Sequence, residues 1–241
     1  MTGTSMKNTN AVILFSKAFS INVHQHQEHP LQFQYEDLHA LQSAVLEDVV
    51  EKISQLTDTD IFVFNDEEST LDTTINKWFQ RVLFRQIQGT TFSEQVQNAV
   101  VQVMSEEYLH LVVVFENHPI ISVELLQNVF QQLICNEDCV VVGPTTGGTH
   151  FLIGVRSDQR EFISSIDGDT LLNHNLLLER LCESPVILVL TRTLYALDSV
   201  SNLVRLRNEL SMGQGIRPKN YRKTLSVLRM LEKKYKFNRV A

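Results

Sequence analysis

Apolar residues fall along this chain in two alternating rhythms: short unbroken runs and longer stripes at helical spacing. Asn10–Phe19 (NAVILFSKAF) holds a run of four to five apolar residues, which reads as a first strand buried on both faces. After a polar stretch, Tyr35, Leu38, Leu41, Val45, Leu46, Val49, Ile53 and Leu56 recur every three or four residues. That stripe predicts a long amphipathic helix. DIFVFND (Asp60–Asp66) predicts a second strand, and residues 70–85, with Trp78 and Phe79, a helix or turn packed on the sheet. Gly89 breaks the pattern, and Phe92, Val96, Ala99, Val100, Val103 and Met104 form another helical stripe. HLVVVFE predicts a third strand. Ser122 then suits a helix cap, with Leu125, Leu126, Val129, Phe130 and Leu133 on one face. CVVVGP, HFLIGV and PVILVL predict three further strands. Leu171–Leu181, Ser201–Leu210 and Tyr221–Tyr235 predict helices, with MGQGIRP (Met212–Pro218) as a breaker before the last.

Strands alternating with helices imply an α/β fold in three layers, a mostly parallel sheet covered on both faces. The gap between CVVVGP and HFLIGV is too short for a helical crossover, so that pair is expected to be antiparallel or staggered. No internal repeat or low-complexity tract interrupts the series. The 241 residues suit one domain with a tail, divided as an α/β domain over 10–210 and a basic helical extension over 211–241.

Charge sharpens that division. The net charge is −7, yet from Arg205 onward lie 11 of the 21 Lys and Arg and only Glu209 and Glu232 of the 28 acids. The end of the chain is therefore +9 and the part before it −16. Its basic helix carries apolar residues at helical spacing. It is expected to pack on an acidic face of its own domain, and the alternatives are a protein partner, a second copy, a membrane surface or a polyanion. Packing is the favoured reading and nucleic acid the least favoured. No apolar run reaches the roughly 18 residues of a membrane span, and the opening MTGTSMKNTN lacks the apolar core of a signal peptide. Cys135, Cys139 and Cys182 show no zinc-type pairing and suit a reducing compartment. The cytoplasm is the expected location.

Candidate chemistry concentrates where strands end. Leu111–Pro119 (LVVVFENHP) and Gly143–Gly154 (GPTTGGTHFLIG) both pass from a β-branched run into residues that suit a loop holding a ligand. His24, His26 and His29 form an H-x-H-x2-H cluster, either a metal site or a solvated loop. No nucleophile elbow, Walker loop or Ser-His-Asp placement appears, so no catalytic residue is assigned.

The two strand-end segments resemble the GT-A-like superfamily of nucleotide-diphospho-sugar transferases, in particular its small bacterial branch assigned as glycosyltransferases. There the first segment reads strand, Gly-x-Asp-x-Pro, and the second Gly-Pro, two variable residues, Asp-Gly-Gly-Tyr, then a strand ending in Gly. In this chain Asn117 stands at the metal-binding Asp, Gly147 at the second Asp and His150 at the Tyr. The resemblance covers roughly Asn10–Leu210 and implies a sheet with one antiparallel strand. It implies glycosyl or nucleotidyl transfer from a nucleotide or nucleotide-sugar, with a divalent Mn or Mg ion on the diphosphate. It places nucleotide contacts at Lys17, Gly143, Pro144, Gly147 and Gly148, and further pocket residues at Ser16, Glu116 and Asp198. With the acids replaced, Asn117, His118 and His150 are the candidate metal ligands, and imidazole donors favour zinc or another transition metal over magnesium. The alternative is a non-catalytic scaffold or binding protein on the same fold, because the metal and phosphate motifs are largely lost.

Overall fold

The computed structural model describes residues 8–15, 33–65, 82–115, 120–197, 199–212 and 218–236. Its elements run β1 (Asn10–Phe15), α1 (Tyr35–Ile53), β2 (Thr59–Asn65), β3 (Val82–Gln86), α2 (Phe92–Met104), β4 (His110–Val114), α3 (Val123–Cys135), β5 (Cys139–Pro144) and β6 (His150–Arg156). Then follow α4 (Arg160–Ser165), α5 (Gly168–Leu172), α6 (His174–Cys182), β7 (Ile187–Leu190), α7 (Val200–Met212) and α8 (Arg222–Tyr235).

The strands form one sheet in the order β3-β2-β1-β4-β6-β5-β7. β6 alone runs against its neighbours, antiparallel to both β4 and β5, while every other pairing is parallel. This is the mixed sheet expected from the short CVVVGP–HFLIGV gap. The central strands are apolar along nearly their whole length because both faces are covered. Val12 and Leu14 of β1 enter a core shared with α1, α3, α7 and α8. Ala11, Ile13 and Phe15 enter a second core, shared with α2 and the short helices α4 to α6.

Local signals account for the helix boundaries. Thr91 caps α2 in a reciprocal box with Glu94, and the Ser122 hydroxyl accepts from the Leu125 amide at 3.1 Å to open α3. The α3 face predicted from spacing, Leu125, Leu126, Val129, Phe130 and Leu133, is buried throughout.

Two expectations need correction. Val82–Gln86 is not helix or turn but an edge strand paired in parallel with β2. The rest of 66–81, with Trp78 and Phe79, lies outside the described residues. The helix expected over Leu171–Leu181 is broken at Asn173, which is extended and whose side chain accepts from the Asn175 and Leu176 amides to start α6 afresh.

The basic last helix is built into the domain. Leu225, Leu228 and Leu231 join the first core. The Asp48 carboxylate of α1 accepts from the Thr224 amide at 2.8 Å, so an α1 acid meets the positive end of α8. Arg207 of α7 grips Glu232 through two bonds of 2.8 Å, and Lys234 reaches Asp37 at 2.7 Å. Packing on an acidic face, one of the readings of the charge asymmetry, is thus what these residues do. Leu228→Ala should lower the unfolding free energy by roughly 2–5 kcal/mol, the range for a buried leucine that leaves a cavity. Urea denaturation followed by circular dichroism measures it, and a loss below about 0.5 kcal/mol would mean the helix is not part of the cooperative core.

Candidate functional site

Six parallel strands release the chain at one rim of the sheet, at Phe15, Asn65, Gln86, Val114, Pro144 and Leu190. From β1 the connections move outward through β2 to β3, and β4 then pairs on the other side of β1. The strand order reverses between β1 and β4, and open α/β sheets bind ligands beyond the carboxyl ends of strands at such a point. The two strands end level, with Leu14 opposite Val114. Ser16, Lys17, Glu116, Asn117 and His118 come directly after those ends, and they lie outside the described residues, as do Asp198 and the His24, His26 and His29 cluster.

The described candidates occupy the β5–β6 connection. Gly143 is buried in β5, where an added Cβ would come within 2.6 Å of the Phe151 ring, so bulk is excluded there by packing. Pro144 ends the strand, and its carbonyl accepts from the Leu194 amide at 3.1 Å. Gly147 and Gly148 are exposed on the turn, and Gly148 has φ +77° with open space around it. The turn is closed by its own groups. The Thr145 amide donates to Thr149 O at 2.8 Å, the Thr149 amide to Thr145 Oγ1 at 3.0 Å and the Thr146 amide to Leu194 O at 2.8 Å. The Gly148 amide also donates within the turn, to Thr145 O at 3.3 Å, so these amides are committed within the chain.

His150, first residue of β6, is only 4 % exposed. It sits edge-on to Phe115, with ring centroids 5.4 Å apart, and 5.9 Å from the His174 ring at the start of α6. Neither His150 ring nitrogen makes a hydrogen bond of good geometry, although the Leu171 backbone lies near enough to act on the ring, and the buried Nδ1 of His174 has no partner. Burial pushes the His150 imidazole down to about 4, outweighing the backbone at Leu171, which favours the charged form; neighbouring His174 lowers it further. His150 is therefore neutral at pH 7 and in the state a metal ligand requires. Orphaned imidazole nitrogens fit a zinc-like ion better than magnesium, and no group of three His, Cys, Asp or Glu gathers around a common point among the described residues. Of the three candidate metal ligands, His150 is the one that this part of the chain places.

A cleft of about 960 Å³ was not foreseen from the sequence. Its walls come from Lys52 of the last turn of α1 and Gln55 just after it, the start of α3 (Ser122, Glu124), Thr146 of the β5–β6 turn, the segment after β7 (Arg192–Tyr195), α7 (Arg205, Glu209) and Tyr221. Lys52 lies on its floor, 3 % exposed. Its ammonium donates to Ile121 O at 2.8 Å and stands 3.7 Å from the centre of the Tyr221 ring. Burial pushes Lys52 down to about 7, against the pull of Asp48 and Glu124. Near neutrality it is therefore only partly protonated. Opposite it, the Arg205 guanidinium lies 4.0 Å from the centre of the Tyr195 ring and 2.9 Å from Glu209, which also accepts from the Tyr195 hydroxyl at 2.6 Å. One sequence signal existed: Lys52 falls on the apolar stripe, three residues after Val49 and four before Leu56. A lysine on a buried face needs a reason.

Comparison with known proteins places this geometry. The model of a family described as "Uncharacterized protein conserved in bacteria (DUF2064)" matches residues 36–168. A protein of Desulfovibrio desulfuricans G20, assigned to the nucleotide-diphospho-sugar transferases, superposes with a TM-score of 0.71 at 16% identity, over 93% of this chain and 96% of that one. The 4-diphosphocytidyl-2C-methyl-D-erythritol synthase of Anaerococcus prevotii DSM 20548 matches at 0.54 and 10% identity, over 85% and 97%. A CMP:2-keto-3-deoxy-manno-octonic acid synthetase complexed with CTP matches at 0.54 and 10%, over 85% and 99%. No curated protein matches in sequence. The chain has the nucleotide-diphospho-sugar transferase fold, and among the described residues no helix is long and apolar enough to cross a membrane.

Lys52 makes a prediction about stability. Its folded pKa of about 7 lies below its unfolded value near 10.4, so between those limits the unfolded chain holds the extra proton. Unfolding free energy should rise with pH from about 7 to about 10, by up to about 4 kcal/mol from this group, and Lys52→Met should flatten the rise. Burial raises Tyr195 and Tyr221 above the usual tyrosine range, which reverses the trend above pH about 10. Urea denaturation at intervals from pH 7 to 10 measures the slope; equal slopes in the two proteins would show that Lys52 is not the group responsible.

Proposed function

On the premise that the chain belongs to the DUF2064 family of bacterial proteins, we propose that it binds a nucleotide or nucleotide-sugar at the rim of the sheet and transfers a glycosyl or nucleotidyl group. The observation that carries this reading is the reversal of strand order between β1 and β4. It brings the ends of those strands level, and the cleft over Lys52 opens beside the turns that follow β5 and β7. A shared fold supports the reading through the CTP complex of one neighbour, and does not by itself carry the chemistry.

In this proposal Lys17 contacts the phosphates. Gly143 and Pro144 position the β5–β6 turn, and Gly147 and Gly148 keep its outer edge free of side chains. Ser16, Glu116 and Asp198 complete the rim. Arg192, exposed at the mouth of the cleft, and Lys52 at its floor supply positive charge for the transferred or accepting group. A divalent ion, where bound, neutralises the diphosphate, and Asn117, His118 and His150 are the residues that would hold it. Cytoplasmic residence fits such a substrate.

A second reading, a non-catalytic binding protein on this fold, rests on a separate observation. Asn117 and Gly147 stand where the related pattern has acids, and the Thr145, Thr146, Gly148 and Thr149 amides of the β5–β6 turn are already bonded within the chain. Hard cations and phosphates both lose grip under those two changes.

A thermal-shift series distinguishes the readings. CTP, UTP, UDP-glucose and CDP are each added with and without Mn²⁺ or Zn²⁺. Transferase binding predicts a rise in Tm with at least one nucleotide, diminished in Lys17→Ala, through linkage between binding and folding. A flat panel, with the protein folded throughout, would discard the nucleotide reading and leave the binding-protein one.

A further inference from the structure

Two histidines that are far apart in sequence meet beneath the rim. His150 opens β6 and His174 opens α6, and their ring centroids lie 5.9 Å apart with the planes tilted by 38°. Neither His150 nitrogen nor the buried Nδ1 of His174 makes a well-formed hydrogen bond, and the polar groups acting on the His150 ring are the Leu171 backbone and His174. Buried polar atoms without a well-formed partner are costly, so their gathering in one place calls for one.

The spacing of the two rings fits a shared ion. A ring nitrogen lies about 1.1 Å from its ring centre and about 2.0–2.1 Å from a bound zinc-like ion, so two imidazoles sharing an ion have centres roughly 5.2 Å apart at a tetrahedral angle and 6.4 Å apart when collinear. The observed 5.9 Å falls inside that interval. A direct hydrogen bond from ring to ring would also satisfy one nitrogen on each side, yet neither ring makes one.

Both rings are held in place. The Asn173 side chain accepts from the Asn175 and Leu176 amides and fixes the first turn of α6, on which His174 stands. His150 is pinned by the β6 ladder and by the Phe115 ring. His174 is half-buried, which leaves a path to solvent.

We propose that His150 and His174 together bind a transition-metal ion of the zinc class, leaving its remaining positions to solvent or to ligand oxygen. The His150–His174 pairing joins two elements and differs from the Asn117, His118 and His150 set suggested by spacing along the chain. Nitrogen donors of this kind select Zn²⁺, Co²⁺ or Cu²⁺ over Mg²⁺. An ion held by two neutral imidazoles keeps its full double charge and therefore attracts an anionic oxygen at its open side. The binding of metal alone does not depend on the nucleotide reading.

The test titrates Co²⁺ alone into the full chain carrying His24→Gln, His26→Gln and His29→Gln, so that the separate histidine cluster cannot be the binder. Visible absorption of the bound ion reports the ligand field. One Co²⁺ per chain is expected, displaced by Zn²⁺ and not by Mg²⁺, with affinity falling at least tenfold in His174→Gln. His150→Phe should have the same effect if it folds. As a check independent of that variant, long-range ¹H–¹⁵N spectra of the parent chain should show both the His150 and His174 rings shifting on addition of Zn²⁺. No Co²⁺ binding, binding indifferent to His174→Gln, or Zn²⁺ shifts confined to other histidines would overturn the proposal.

Discussion

The rim that carries the candidate chemistry depends on one pairing, the insertion of β6 between β4 and β5 in the antiparallel sense. Six strands run one way and leave their loops on one side of the sheet. A seventh parallel strand would have needed another helical crossover. Because β6 instead turns back from β5 within a tight loop, the Thr145–Thr149 turn lands on that same side, beside the ends of β4 and β7. The ladder continues at Gly154, which pairs with Val112 on one side and Val141 on the other. An added Cβ there would stand 3.0 Å from Val129 of α3, so the missing side chain is what lets α3 lie close over the hairpin. α3 in turn starts beside the cleft, and its cap residue Ser122 forms part of the cleft wall. Pairing, helix placement and cleft are therefore linked through one short hairpin.

What the sequence disclosed follows from how much context each element needs. β1, β4 and β5 are covered on both faces, so their composition alone marks them as strands. α3 was legible down to its cap, because a Ser and a five-residue apolar face are local signals. β3 was not, for a physical reason: it is a short edge strand with half-exposed side chains and an Arg and a Gln at its end, and only pairing with β2 makes it a strand. Asn173 broke a helix that spacing alone continued, since an Asn can cap as readily as it can extend. The site was less legible than the fold. The unusual position of Lys52 was visible, but Tyr221, which lies over its ammonium, comes 169 residues later. His150 was marked by its place in a motif, whereas nothing local connects it with His174.

The charge asymmetry follows the same logic. A +9 end beside a −16 body suggests attraction to an external polyanion when read from composition. In the fold much of that attraction is internal. Glu47, Asp48 and Asp37 of α1 face Lys223, the first turn of α8 and Lys234. The exposed pairs among these are individually weak, because solvent screens them. Asp48 differs because it is buried: burial raises its carboxyl pKa while the Thr224 amide and hydroxyl, and then Lys223, pull it back. A charge kept in the core by backbone donors fixes α8 to α1 in one register more firmly than the surface pairs do. Electrostatics here serve assembly of the domain first.

Neutral residues at the candidate positions, Asn117 and Gly147, pose a different electrostatic problem from carboxylates. A hard cation needs carboxylates that both bind it and cancel its charge. Asn117 cancels nothing, and Gly147 offers only backbone. Imidazole reverses the division of labour: it binds through nitrogen and leaves the ion's charge intact. Where the protein supplies no negative charge, the bound ligand must supply it. Cation and anionic ligand then stabilise each other, and occupation of one becomes coupled to occupation of the other. Lys52 poses a related problem in the separate cleft. At a pKa of about 7 it carries a partial charge, and an anion entering the cleft would draw it toward the protonated form.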